Sequence, residues 1–136
     1  MPPIDVDATV IANRRLSRDY NVLTLSAAAV GARTRPGQFV MVRPARLTDT
    51  LPRRPFSVFE ILRDAHGAPT AIHLLNKRAG RTTNRLYEAE PGERMACLGP
   101  LGKPYTPVAA PQEAWMVAGG VGLAPFATLA ESLASQ

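Results

Sequence analysis

Short runs of β-branched, aromatic and other apolar residues, separated by Gly, Pro, Asp and Asn, fill the first hundred residues of the chain. Within several of these runs the side chains alternate between two faces with a period of two, which is typical of a half-buried strand. The pattern predicts six short strands, at residues 7–14, 20–26, 38–43, 56–63, 70–76 and 94–98. Six short strands bounded by turn residues favour a closed antiparallel Greek-key barrel over a sandwich, although periodicity alone does not separate the two.

The strand pattern is interrupted once, at residues 83–88, where the sequence indicates a short helix that ends before Pro91-Gly92. Between the fourth and fifth strands, residues 64–69 have the turn chemistry of a hairpin loop.

The last thirty residues have a different character. A stretch rich in Pro and Ala at residues 106–112 is typical of a linker. After it, a brief apolar strand at 114–118, a Gly-rich turn and a helix at 123–133 form a strand-turn-helix unit, which needs further strands to make a sheet. We therefore expect a barrel domain at residues 1–105, a linker at 106–112, and the start of an incomplete α/β domain at 113–136.

Composition limits the partners of the chain. The net charge is +5, from 16 basic and 11 acidic residues, but the basic residues are dispersed and few aromatic residues lie among them, so we expect no nucleic-acid partner. No apolar run approaches the ~20 residues of a membrane span. The N-terminus has no basic segment followed by an apolar one, and we expect a cytoplasmic protein.

The residues that usually hold metals are sparse. Cys97 is the single cysteine, so the chain has no internal disulfide and no set of ligands for an iron–sulfur cluster. We expect Cys97 to be a core thiol. His66 and His73 are too isolated to form a metal site.

Arg54-Pro55-Phe56-Ser57 begins the fourth predicted strand, so its side chains can project from one end of the barrel. A guanidinium group suits a diphosphate, and an aromatic face beside a hydroxyl suits a flavin ring. The structural alternative is an edge strand that begins at a proline and carries solvated arginines.

A second candidate segment lies between the fifth strand and the short helix. Backbone N–H groups and hydroxyls at such a turn can bind an anion, whereas the structural alternative makes Thr83 a simple helix cap. The candidate residues are Asn76, Lys77, Gly80, Arg81, Thr82 and Thr83.

The third candidate is the Gly-rich turn between the last predicted strand and helix. In that position a turn can bring a dinucleotide diphosphate against backbone amides, and a purely structural turn is the alternative. Its residues are Gly119, Gly120, Gly122, Ala124 and Pro125.

These motifs occur in one order together with Pro36-Gly37-Gln38-Phe39 and Gly99-Pro100-Leu101-Gly102, and the ordered set resembles the ferredoxin-NADP reductase-like superfamily. Within this superfamily, the amino-acid sequence of the motifs is most similar to that of the electron-transfer subunits of dihydroorotate dehydrogenases. The resemblance implies a flavin-binding barrel in which Arg54 holds phosphate and Phe56 and Ser57 contact the ring. Relatives have a Gly-Lys-Gly-Thr-like segment for the diphosphate, and here Arg81 and Thr82 replace its Lys and second Gly. The Gly-rich turn lies beneath the nicotinamide in that family.

The resemblance therefore implies FAD, with FMN as the alternative, and a flow of electrons from NAD(P)H through the flavin to an iron–sulfur cluster or a partner. That role belongs to pyrimidine biosynthesis, with a catalytic subunit or a further C-terminal segment that carries the cluster. We expect the chain to bind flavin but not to turn over NADH alone. The alternatives are another flavin, oxygenase or hydrogenase-type reductase of the superfamily, or a non-catalytic basic barrel that binds a protein or nucleic acid.

Overall fold

The six predicted strands all form, and they close into an antiparallel barrel. A computed structural model describes residues 1–45, 51–106 and 109–136. Around the barrel the strand order is β1-β2-β5-β4-β3-β6, which is the predicted Greek-key arrangement. The strands are β1 (Ile4–Arg15), β2 (Tyr20–Leu25), β3 (Phe39–Pro44), β4 (Arg54–Arg63), β5 (Pro69–Lys77) and β6 (Arg94–Leu101).

In the described residues three short α-helices accompany the barrel: α1 (Ala28–Gly31), α2 (Arg81–Tyr87) and α3 (Phe126–Ala134). Helix α2 confirms the predicted helix within two residues. Helix α1 was not predicted, because four residues are too few to show a helical period. Among the described residues, no helix combines the length and the apolar character needed to cross a bilayer.

Apolar side chains from all six strands fill the barrel interior, and Leu86 of α2 and Ala89 join them in one buried cluster. Because Leu86 enters this cluster, α2 closes one end of the barrel. A second, smaller cluster lies on the outer face, where Ala124 packs against Val22 and Leu75. Strand β2 is consequently buried on both faces at Val22 and Leu23, so its side chains alternate between two faces that are both covered.

The segment after the barrel differs from its prediction. Residues 114–118 pair with no described strand, and Trp115 and Val117 are 82% and 84% exposed. The predicted strand is therefore wrong for this structure, because a strand forms only where a neighbour accepts and donates its backbone hydrogen bonds. The predicted helix begins later than expected, at Phe126, and a 3₁₀ turn at Gly120–Leu123 precedes it. The domain boundary stays a prediction, and residues 107 and 108 of the predicted linker lie outside the described residues.

Two of the sequence motifs have a packing role. Gln38 donates from Nε2 to the carbonyl oxygen of Gly102 at 2.9 Å. A Cβ atom added to Gly99 would lie 2.7 Å from Cγ1 of Val40. The start of β3 and the end of β6 thus approach too closely for a side chain at position 99.

Replacing Gly99 by Ala should lower the free energy of unfolding by about 1–3 kcal/mol, because the methyl group would overpack against Val40. Urea unfolding measures the change. Gly119→Ala is the matched control, since its backbone is extended and no atom lies within 4 Å of an added Cβ. Equal midpoints for the two variants would contradict the packing argument.

Cys97 is fully buried inside the barrel, as predicted, and burial raises the pKa of its thiol to about 12. We expect a thiol reagent near pH 8 to leave the native chain unmodified and to label one equivalent after unfolding in guanidinium chloride. Because an unfolded thiol titrates at lower pH, the raised pKa also predicts that stability falls as the pH rises from about 9 towards 12. Rapid labelling of the native chain would show that the barrel opens readily.

Candidate functional site

A cleft of about 480 Å³ opens where β4 begins and β5 ends. Its size is that of an ordinary small-molecule site. One side is the start of β4, a second is the segment from β5 into α2, and the Gly-rich turn forms the third. The lining residues are Arg54, Pro55, Phe56, Ser57, Leu75, Lys77, Ala79, Gly80, Arg81, Thr82, Thr83, Val121 and Ala124.

Strand register explains how the cleft spans two surfaces of the barrel. Phe56 is opposite Val40, whose side chain is in the barrel core, so Phe56 faces inward. Leu75 is opposite Val22, and both belong to the outer cluster. The cleft therefore extends from the inner rim of the barrel to its outer face.

Phe56 lines the cleft but exposes only 8% of its surface. Most of the ring packs in the barrel core. The open aromatic face that the motif suggests is therefore small, and Phe56 supplies an apolar base beneath Arg54 and Ser57 instead.

Positive charge dominates the cleft. Arg54, Lys77 and Arg81 line it, and none of the described lining residues is acidic. None of the three forms an ion pair with a described residue, and Nζ of Lys77 lies 5.7 Å from the ring centroid of Tyr20. A polyanion that entered the cleft would meet three cations without displacing a carboxylate.

The segment from Ala79 to Thr83, here called the rim loop, is organised by one hydroxyl group. Oγ1 of Thr83 accepts the backbone N–H groups of Ala79 and Gly80, each at 2.8 Å. The cap of α2 is Gly80, so the alternative that made Thr83 the cap residue is wrong by three positions. Because these amides are engaged within the loop, anion contacts fall mainly to the side chains around it.

Thr82 lines the cleft, but its side chain is nearly fully buried. It is 3% exposed, and its hydroxyl donates to the carbonyl oxygen of Pro52 at 3.2 Å. This bond ties the rim loop to the residues just before Arg54. The side chain that replaces the family's glycine at this position thus joins two walls of the cleft.

Asn76 does not line the cleft. Its side chain is fully buried, and Nδ2 donates to Oδ1 of Asn21 and to the carbonyl oxygen of Thr83, both at 2.9 Å. The structure places Asn76 behind the rim loop, where it contacts the loop rather than a ligand.

The Gly-rich turn contributes less than predicted. Ala124 lines the cleft and is 4% exposed, but four predicted residues lie outside the lining: Gly119, Gly120, Gly122 and Pro125. Ala124 faces the barrel because it packs in the outer cluster, whereas Val121, Leu123 and the three glycines are exposed.

Three lining residues were absent from the predicted set: Leu75, Ala79 and Val121. Leu75 and Ala79 are close in sequence to predicted residues. Val121 occupies a variable position of the Gly-rich motif, where the sequence carries no signal for a contact.

The histidines have local partners. Nδ1 of His73 lies 2.7 Å from Oε2 of Glu60 on the outer face of the barrel, and the backbone N–H of His66 donates to Asp64 in the hairpin loop. Among the described residues, no group of three potential ligands is close enough to hold a metal ion.

No family model matches the chain. Among curated proteins it is 36% identical over 130 residues to the dihydroorotate dehydrogenase B (NAD(+)) electron transfer subunit of Geobacillus thermodenitrificans, covering 94% of this chain and 49% of that protein. It is also 36% identical over 127 residues to the subunit of the same name from Enterococcus faecalis, covering 92% of this chain and 46% of that protein. The chain is homologous to these electron transfer subunits. It spans about half of their length.

Two solved structures with a similar fold are named as a reductase and an oxidoreductase. The ferredoxin reductase in carbazole 1,9a-dioxygenase has a TM-score of 0.80 at 24% identity, covering 97% of this chain and 39% of that one. The NADH-dependent reduced ferredoxin-NADP oxidoreductase has a TM-score of 0.76 at 24% identity, covering 96% and 45%. The barrel therefore has the ferredoxin reductase fold, and the resemblance drawn from the sequence motifs is confirmed.

Replacing Thr82 by Val should lower the free energy of unfolding by about 1 kcal/mol, because the Pro52 carbonyl loses its partly buried donor while the side-chain shape is kept. Thr82→Ser retains the hydroxyl and serves as the control. Urea unfolding compares the two variants. Because Thr82→Ser also loses a buried methyl group, the contradicting result is a Thr82→Val midpoint equal to that of the unmodified chain.

Proposed function

We propose that the cleft binds a flavin, with FAD as the first candidate and FMN as the second, and that the chain is the flavin-binding part of an electron-transfer reductase. The observation that carries the proposal is the lining of the cleft: three cations, two of them arginines, beside an apolar base and the hydroxyl of Ser57. A diphosphate joined to an aromatic ring system needs this combination.

The positions of the lining residues also suit an elongated ligand that carries phosphate groups. The cations are held on different elements, Arg54 on β4, Lys77 on β5 and Arg81 on α2, so they can surround an elongated anion. No atom lies within 4 Å of an added Cβ at Gly80, and a ligand can approach the backbone there. Arg54 would bind phosphate through its planar donors, and Ser57 would bond to the polar edge of the ring.

A bound flavin supplies the redox chemistry, which accepts a hydride and releases electrons. The chain contributes binding, orientation and exclusion of water. Val121 and Ala124 bring the Gly-rich turn to the same cleft as Ser57, so a nicotinamide held at that turn would lie beside the ring. This adjacency supports NAD(P)H as the electron donor.

Homology extends the proposal to the physiological role. Because the related proteins are named as electron transfer subunits of dihydroorotate dehydrogenase B, we propose that the chain serves a dihydroorotate dehydrogenase, in pyrimidine biosynthesis. The rest of the nicotinamide site and an iron–sulfur cluster would come from further chain or from a partner subunit. Another reductase of the same fold is the alternative, and its electron acceptor would be different.

Titration with FAD, followed by flavin absorbance and fluorescence, tests the proposal. We expect the chain to bind FAD and FMN more tightly than riboflavin, which lacks phosphate. Arg54→Ala should weaken FAD binding about 10- to 100-fold, because charged hydrogen bonds to phosphate are lost, while riboflavin affinity stays within about twofold.

Arg63→Ala is the matched control, since Arg63 ends the strand that Arg54 begins and lies about 30 Å away along it. It should leave FAD affinity unchanged. A chain that left FAD fluorescence unaltered would contradict the flavin proposal and favour the barrel that binds an acidic partner. Equal losses for Arg54→Ala and Arg63→Ala would indicate a general charge effect instead of a phosphate contact.

A further inference from the structure

Three asparagines form a continuous chain of side-chain hydrogen bonds across one end of the barrel. Nδ2 of Asn76 donates to Oδ1 of Asn21 at 2.9 Å, and Nδ2 of Asn21 donates to Oδ1 of Asn13 at 2.8 Å. The three residues come from the adjacent strands β5, β2 and β1. We call this set the amide chain.

Strand register turns all three side chains inward. Asn21 and Asn76 are directly opposite each other, two residues from Leu23 and Leu74, which belong to the core. A bulge between Val10 and Ala12 shifts the register of β1, so that Asn13 is opposite Leu23. Without the bulge Asn13 would face solvent, because successive side chains alternate between faces.

The remaining bonds of the amide chain all go to α2 or to Ala89, just beyond it. Asn76 donates to the carbonyl oxygen of Thr83 in the first turn. Asn13 donates to the carbonyl oxygens of Tyr87 and Ala89 at 2.9 and 2.8 Å. Both ends of the helix are thereby held to the strands, including C-terminal carbonyl groups that lack partners within a helix.

Filling of the core alone does not account for Asn21 and Asn76. Asn21 and Asn76 are fully buried, and Oδ1 of Asn76 finds no hydrogen-bond donor among the described residues. A buried polar atom without a partner is costly, and apolar side chains would avoid that cost. The amide at position 76 therefore has a role other than filling the core.

Asn76 acts on the rim loop through Thr83. The carbonyl oxygen of Thr83 is held by Asn76, while its hydroxyl gathers the amides of Ala79 and Gly80. Asn76 thus fixes the one residue on which the rim loop is organised. Arg81, which lines the cleft, lies within that loop.

We propose that the amide chain is the positioning element of the cleft, which holds the rim loop and Arg81 in the phosphate-binding arrangement before a ligand arrives. The proposal rests on flavin binding for its functional consequence, but the order of the loop can be measured without a ligand. Asn13, Asn21 and Asn76 would be positioning residues that never contact the flavin.

Asn76→Ala tests the proposal in the full chain with two measurements. Hydrogen exchange of the Ala79 and Gly80 amides in the ligand-free protein should accelerate about tenfold, and FAD should bind about tenfold more weakly, with riboflavin affinity changed less than about twofold. A merely structural role would lower the unfolding temperature without altering the ratio of FAD to riboflavin affinity.

Two further variants keep the test decisive if Asn76→Ala folds poorly. Asn13→Ala lies at the half-buried end of the amide chain and should move both measurements in the same direction by a smaller factor. The double variant Asn21→Leu with Asn76→Leu removes both partners of the bond between the two buried amides. It should release the rim loop, because the carbonyl oxygen of Thr83 loses its donor.

Asn84→Ala is the matched control. Asn84 is an exposed residue of α2 whose side chain accepts a bond from Arg78 outside the amide chain, so neither measurement should change. Unaltered exchange at Ala79 and Gly80 in the amide-chain variants would overturn the proposal, as would accelerated exchange with unchanged FAD affinity. If the unmodified chain bound no flavin, the proposed function would fail, while the exchange measurement would still decide whether the amide chain orders the loop.

Discussion

The apolar interior of the barrel ends at Asn21 and Asn76, where buried amides meet the backbone of α2. Six strands that close on themselves satisfy one another's backbone hydrogen bonds, but the end of the barrel also needs a cover that satisfies its own polar groups. Helix α2 inserts Leu86 into the core, and the asparagines hold its carbonyl groups. The position of the rim loop, and with it one wall of the cleft, depends on this closure.

The second wall of the cleft, at the start of β4, is joined to the rim loop by the hydroxyl of Thr82. Thr82 bonds to the carbonyl oxygen of Pro52, immediately before the strand that carries Arg54. An ion pair of 2.7 Å between Arg53 and Asp5 holds the same segment to β1. Arg54 and Arg81 therefore lie on elements that a hydrogen bond joins. This bond limits the distance between the two guanidinium groups and preorganises the site for an anion.

The third wall of the cleft, the Gly-rich turn, is held to the barrel by side-chain packing. The Gly-rich turn contacts the barrel through a small apolar cluster around Ala124, and Tyr105 stacks on Phe126 at 6.3 Å between ring centroids. No described strand pairs with the segment before the turn, and Trp115 and Val117 stay exposed. Within the described part of the chain, no backbone hydrogen bond joins this segment to the barrel, whereas the barrel itself is held by a closed set of backbone hydrogen bonds.

Local sequence alone determined the six strands of the barrel. Alternating runs and turn residues located all six strands, because burial on one face of a strand and the geometry of tight turns are local requirements. The ordered motifs likewise located Arg54, Ser57 and Arg81 at the cleft. Only the tertiary structure decided that Phe56 faces the core and that Asn76 stands behind the rim loop, since both depend on register between strands. It also decided that residues 114–118 remain unpaired. A strand is completed by its neighbours, so an apolar run can predict the tendency but not the partner.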